Sequence, residues 1–284
     1  MRHDKPSTTA RKVALNIISL GAKPGMEEVL PAGIVDATAR LLVAAGVAGE
    51  GAVRFAGSKW AVAIYEAFDW MMPGQFEAFA HRKAFCEKQV REGIAAGATQ
   101  ILVLGAGYDT LGWRLALEFP KVRFFEIDHP ATSKRKAQGI AGLGPRDNLH
   151  LIQADLGDRR LKNVLTGVES WDNTAQSVMV AEGLTQYLTP AAVQDLFVQC
   201  GTVSGGGSRI AFTYVSTGDD GRPDIGRWTG LTVWILKTSG EPWLWSVRPE
   251  ELPTLLAEAG WTHAPQLNPG SGTCGVEDHA VAVK

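Results

Sequence analysis

The sequence predicts an α/β protein, a doubly wound Rossmann-like sheet with an N-terminal helical cap and a lid insertion. Three observations predict it. The run QILVLGAGYDTLGWRLALEFPKVRFFEIDHP, residues 100–130, reads as strand, glycine turn, helix and strand. The second, third and fourth strands each end in an acid, at Asp128, Asp155 and Glu182. Residues 216–246 form a connection too long for an ordinary turn between helix and strand. In a parallel sheet wound this way the carboxyl ends of the strands share one crevice, so the acids should face a common ligand.

Ahead of the sheet, Ser7 to Leu20 has Val13, Ile17 and Leu20 on one helical face and stops at Gly21. A second apolar helix is expected from Ala37 to Ala45, ended by Gly46. A third runs from Ser58 to Met72, with Trp60, Tyr65, Phe68 and Trp70, until Pro73-Gly74 breaks it. Residues 1–80 are therefore expected to be a helical cap and residues 81–284 the ligand-binding domain. The cap aromatics read as core, with walls of a substrate pocket as their other use.

The first strand, Ile101 to Leu104, feeds Gly105 and Gly107, which let the backbone turn tightly and approach a ligand where a Cβ would collide. Asp128 follows Gly107 by 21 residues, the spacing at which an acid can grip ribose hydroxyls. A dinucleotide fits poorly: Thr110 takes the place of the third fingerprint glycine, and Asp109 puts a carboxylate where a pyrophosphate would sit. S-adenosylmethionine offers ribose, adenine and an ammonium without phosphate, and suits the same loop. The charged stretch Ala131 to Gln138 reads as a helix and Leu149 to Gln153 as the third strand. Asp155 beyond it serves either an adenine amino group or a turn. After the strand Ser177 to Ala181 come Glu182 and Gly183 to Leu188, and Thr189-Pro190 caps and opens the next helix.

A fifth strand, Arg209 to Val215, leads into the expected lid, Ser216 to Ser246. Its glycines supply mobility around Arg222, Arg227 and Trp228, and Trp234, Trp243 and Trp245 add apolar bulk. Four of the chain's nine tryptophans lie here, more than a solvated loop would carry. Arg222, Arg227, Trp228, Trp243 and Trp245 are thus the candidate substrate contacts. A helix from Pro249 to Ala259 follows, and Trp261 to Leu267 with Asp278 to Val283 can close the sheet as a hairpin.

Composition describes an ordinary globular enzyme: 284 residues, 45% hydrophobic, 20% charged, net charge −2. That charge offers no field for nucleic acid, and no basic run interleaves with aromatics, so no nucleic-acid partner is expected. Cys86, Cys200 and Cys274 are odd in number and far apart, which argues against a disulfide framework or a metal site. No membrane-length apolar run or signal peptide is seen, so no membrane partner and a cytoplasmic location are expected; the oligomeric state is left open. Nucleophile elbows, His-Glu-x-x-His and paired cysteines are missing, which disfavours hydrolases and metalloenzymes.

The chain resembles the leucine carboxyl methyltransferase family, and within it the bacterial small-molecule branch. The residues that carry the likeness are His81-Arg82-Lys83-Ala84-Phe85, LGAGYDT, FEIDHP, Ala154-Asp155-Leu156, EGLTQYL, and GEPWLWSVRPEELPTLLAEAGW from Gly240 to Trp261. The resemblance implies a class I S-adenosylmethionine-dependent methyltransferase with seven strands and a C-terminal antiparallel hairpin. It implies that Arg82 binds the methionine carboxylate, Gly105 lines the methionine end, Asp128 the ribose, Asp155 and Leu156 the adenine, and that Glu182 lies beside the transfer region. Two positions depart from the family: Ile17 and Leu111 stand where arginine is usual.

Methyl transfer is an in-line displacement, so the protein mainly aligns the reactants and excludes water. The resemblance favours O-methylation of a small-molecule carboxylate, which needs no general base; a phenol, alcohol, thiol or amine acceptor, or a protein that only binds the cofactor, are the alternatives. Tyr187 and Glu182 are the candidate catalytic residues. His129, just past the ribose acid, reads as a cofactor-shell or structural residue.

Overall fold

The computed structural model describes residues 6–157, 159–225, 229–230, 242–267 and 275–284. Four helices come first: α1 (Thr8–Leu20), α2 (Ile34–Ala44), α3 (Glu50–Ala56) and α4 (Lys59–Ala67). The alternating run is then α5 (Gln75–Ala95), β1 (Gln100–Leu104), α6 (Leu111–Glu118), β2 (Arg123–Asp128), α7 (Pro130–Leu143) and β3 (Leu149–Gln153). It continues with α8 (Leu161–Thr166), β4 (Ser177–Ala181), α9 (Pro190–Thr202) and β5 (Arg209–Tyr214), and ends in α10 (Leu252–Glu258), β6 (Thr262–His263) and β7 (Asp278–Val283).

The sheet has seven strands in the order β3-β2-β1-β4-β5-β7-β6. The first five are parallel neighbours and β7 returns antiparallel along β5, pairing Tyr214 with Asp278. The chain reverses direction across the sheet between β1 and β4, which opens the crevice at the carboxyl ends of the strands. Strand burial explains why the motifs were readable: all five residues of β1 and of β4 are buried, as a sheet covered on both faces requires. Leu102, Leu104, Met179 and Phe212 pack on one face with Phe197 of α9 and Leu256 of α10. Ile101, Val103, Val180 and Ala211 pack on the other with Val90 of α5 and Leu115 of α6.

The cap differs from expectation in detail. The helix expected from 58 to 72 stops at Ala67 and continues as a short 3-10 turn, Asp69–Met71. Two helices of this region went unforeseen. The short α3 makes one, and α5, of 21 residues, is the other. Residues 80 and 81, the expected limits of cap and domain, lie within α5, so one helix serves both. Ile17 is buried at 2% exposure among Leu20, Ile34, Val62 and Phe76, and Leu111, the first residue of α6, lies in the core. Cys86 and Cys200 are buried free thiols, and Cys274 lies outside the described residues. Among the described residues no helix is long and apolar enough to cross a membrane.

Candidate active site

The glycine turn after β1 is shaped by its own two glycines and by the cap. Gly105 and Gly107 have φ of 65° and 49°, left-handed values that side chains resist. A Cβ at Gly107 would lie 3.1 Å from the Ala10 Cβ, so α1 packs directly on the turn. Tyr108 follows it into the cap core beside Ala14, Ile18 and Leu41. From the end of β2, Asp128 Oδ2 accepts the Gly107 amide at 2.6 Å, which joins the acid expected to hold the ribose to the glycine turn. Burial pushes the Asp128 carboxyl above its ordinary value, partly offset by that amide and by Lys136.

Behind the turn sits an ion pair absent from the sequence reading. Lys136, on α7, is 1% exposed; its Nζ lies 2.6 Å from Glu126 Oε2 of β2 and donates to the Ala106 carbonyl at 3.4 Å. The turn is thus held from below by a buried cation. Asp109 is used within the protein: Oδ1 accepts the Leu111 amide at 3.0 Å at the start of α6, and Oδ2 accepts from Lys83 Nζ at 2.7 Å. Its carboxyl is held well below the usual range; burial opposes this, but Lys83, Lys136 and Arg114 outweigh it.

Arg82 lies at the centre of a buried cluster. Its Nε donates to Glu182 Oε1 at 2.7 Å and its Nη1 to Glu277 Oε1 at 2.8 Å. Lys83 joins Glu182 to Asp109, with Nζ 3.0 Å from Glu182 Oε2. All five side chains are at most 9% exposed, and two cations face three carboxylates. Burial alone would drive protons off Arg82 and Lys83, yet the carboxylates overcome it and raise both. Arg82 therefore carries fixed charge, and its Nη2 finds no protein acceptor among the described residues.

The end of β3 is partly as expected. Asp155 Oδ1 accepts the Gly157 amide at 2.8 Å, the turn-forming role, while the side chain stays 31% exposed to the crevice. His129 caps α7: its Nδ1 accepts from the Ala131 amide at 3.3 Å, leaving Nε2 3.7 Å from Asp155 Oδ2. Leu156 lines a cavity of about 260 Å³ with Leu184, Leu188 and Leu196, rimmed by Arg159 and Asp195.

Beyond β4, Thr185–Tyr187 forms a 3-10 turn that leaves Tyr187 half-buried and close enough to act on the Arg82 charge. The two arms of the expected lid are joined at their base: Thr217 N donates to Val247 O at 3.1 Å and Val247 N to Val215 O at 3.1 Å. Leu244 N donates to Gln186 O at 2.7 Å, so the returning arm lies on the loop after β4. Trp243 is half-buried there. Trp245 is a correction to the substrate list, since at 5% exposure it packs in the main core with Tyr214, Val247 and Leu252. Arg222 is exposed on a turn closed by Gly218 N and its own carbonyl. Arg227 and Trp228 lie outside the described residues.

A model of the leucine carboxyl methyltransferase family matches residues 28–201, more than half of the chain. The chain belongs to this family. A protein of Mycolicibacterium paratuberculosis, named as a candidate S-adenosyl-L-methionine-dependent methyltransferase, is 34% identical over 140 residues, 49% of this chain and 43% of that protein. A similarly named protein of Mycolicibacterium gilvum is 32% identical over 136 residues, 48% and 44% of the two chains. The match spans less than half the length of either relative. The crystal structure of a candidate methyltransferase from Thermobifida fusca aligns with 92% of this chain and 97% of its own at a TM-score of 0.60 and 18% identity, which shows a shared fold.

Within the leucine carboxyl methyltransferase frame, the structure gathers Arg82, Gly105, Gly107, Asp128 and Glu182 at the ends of β1, β2 and β4, with Asp155 and Leu156 flanking them. It adds four residues that sequence reasoning missed: Lys83, Lys136, Gln186 and Glu277. Lys83 and Gln186 stood inside quoted family motifs, directly beside residues already singled out. Lys136 was hidden in a charged helix that reads as solvated, and Glu277 in the lead-in to an edge strand.

Proposed function

We propose that this chain is an S-adenosylmethionine-dependent O-methyltransferase acting on a small molecule, with a carboxylate as the acceptor. The buried cluster around Arg82 carries this reading. Two cations against three carboxylates leave one negative charge in excess, and S-adenosylmethionine, with an ammonium, a sulfonium and one carboxylate, brings one positive charge. Arg82 Nη2 still has N–H groups to offer that carboxylate. Asp128 would take the ribose hydroxyls, Asp155 the adenine amino group, and Leu156 the face of the purine. When bound, the cofactor supplies a methyl group already activated on sulfur.

The chain's own task is then to orient and to exclude water. Glu182, fixed by Arg82 and Lys83, marks the transfer end. The loop after β4, with Tyr187 on it and Trp243 laid against it, forms the wall on the acceptor side. Of the histidines near the site, His129 and His279 are not arranged as bases. His129 Nδ1 is occupied at the helix cap. His279 is stacked on Phe85 with ring centroids 4.7 Å apart, and its burial pushes its pKa down to about 4. So weak a base removes little proton from an alcohol or phenol, which supports an acceptor already ionised at neutral pH. The expected kcat–pH profile is therefore flat between about pH 6 and 9. An inflection there that follows an enzyme group would count against a carboxylate acceptor and favour a phenol, alcohol or amine.

A further inference from the structure

The guanidinium of Arg82 has two edges that can grip a carboxylate with paired bonds, one made by Nε with Nη2 and one by Nη1 with Nη2. Glu182 stands on the first edge yet uses only Nε, and Lys83 Nζ sits against both of its oxygens, 2.9 Å from Oε1 and 3.0 Å from Oε2. Glu277 comes from the residue before β7, 195 positions away in sequence, and takes Nη1 at 2.8 Å. The same Glu277 oxygen also accepts from Gln186 Nε2 at 3.4 Å, so the loop after β4 and the lead-in to β7 meet on this group. Gly183 has φ of 59°, and a Cβ there would lie 3.3 Å from both Nη1 and Nη2; glycine lets the loop lie against this end of the guanidinium. The shared atom of both edges, Nη2, is left without a protein acceptor among the described residues.

We propose that Glu277 is a positioning residue for ligand binding: by holding Nη1 it keeps the guanidinium from closing onto Glu182 through Nε and Nη2 together. Nη2 then remains available for the carboxylate of the cofactor's amino-acid tail. With Glu277 removed, the guanidinium is tethered by Glu182 alone and turns into the paired grip, which spends the donor the ligand needs. The inference rests on the S-adenosylmethionine reading above and adds a residue that touches no reacting atom.

The test is calorimetric, with two ligands that share adenosine and sulfur but differ in the tail. S-adenosylhomocysteine has the amino-acid tail and 5′-methylthioadenosine lacks it. Glu277→Ala is expected to weaken S-adenosylhomocysteine by about tenfold, the worth of one hydrogen bond to a charged partner, and to leave methylthioadenosine within about twofold. Glu277→Gln, which keeps an oxygen for Nη1, should recover most of the loss. Glu277→Asp, with a shorter reach, gives the same tail-specific loss if the alanine variant does not fold. Equal weakening of both ligands, no weakening of either, or a glutamine variant as poor as alanine would overturn the proposal. Failure of the wild-type protein to bind either ligand would overturn the S-adenosylmethionine reading as well, an outcome distinct from wild-type binding of both with no tail-specific loss in the variants.

Discussion

Arg82→Met is expected to destabilise the fold by about 3–5 kcal/mol, the cost of leaving buried charge without its partner. Glu182 and Glu277 each lose the cation that lies within 2.8 Å of them, and only Lys83 remains to serve Glu182. For a domain of this size the fall in Tm is on the order of 10 °C. The deficit should depend on pH with a definite sign. Without the guanidinium, burial and mutual repulsion raise the folded-state pKa of these carboxyls above the unfolded value, so the folded state binds protons more tightly. The gap from wild type is then widest near neutral pH and narrows as the pH falls toward about 5. Arg82→Lys should be intermediate, because an ammonium is a point charge that cannot reach both carboxylates through separate edges. Urea unfolding at two pH values decides it; a deficit that stays constant or widens with acid contradicts the assignment of the cluster as ionised.

The second large effect is expected at Lys136→Met, again about 3–5 kcal/mol, since Glu126 is left at 2% exposure with no cation. The double variant Lys136→Met with Glu126→Leu should regain most of that stability, because removing both members of a buried pair costs far less than removing one. Function should not return with it. Lys136 also bonds the Ala106 carbonyl and lowers the pKa of Asp128 and Asp109. A double variant that is stable and binds S-adenosylhomocysteine as well as wild type would show that the pair serves the fold alone.

The contrast between these pairs and the motifs explains what was legible in the sequence. Strands such as Ile101 to Leu104 are buried on both sides, so they appear as unbroken apolar runs, and the glycines and acids at their ends mark the crevice. The helix α5 gives no such signal. Its buried face includes Arg82, Lys83, Glu87 and Gln89 as well as Phe85 and Val90, so polarity and burial do not separate along it. The two buried cations are held through distant partners: Arg82 through Glu277, 195 residues on, and Lys83 through Asp109, 26 residues on. Local pattern cannot show a pairing of that kind. Trp245 illustrates the opposite error, since a tryptophan in a glycine-rich connection read as a substrate wall, whereas the connection's base folds back into the core. The β6 strand has only two residues, too few for alternation to register.

In the proposed reading, the crevice beside the glycine turn holds the ribose of S-adenosylmethionine through Asp128. Titration calorimetry of S-adenosylhomocysteine into wild-type protein and Asp128→Ala tests it most directly. Asp128 Oδ2 already accepts the Gly107 amide, so the variant loses both the ribose contact and part of the turn's support. Binding by the wild type, weakened by about 1–3 kcal/mol in a folded Asp128→Ala protein, is the predicted result. An unchanged dissociation constant in the folded variant, or no binding by the wild type, would contradict the account.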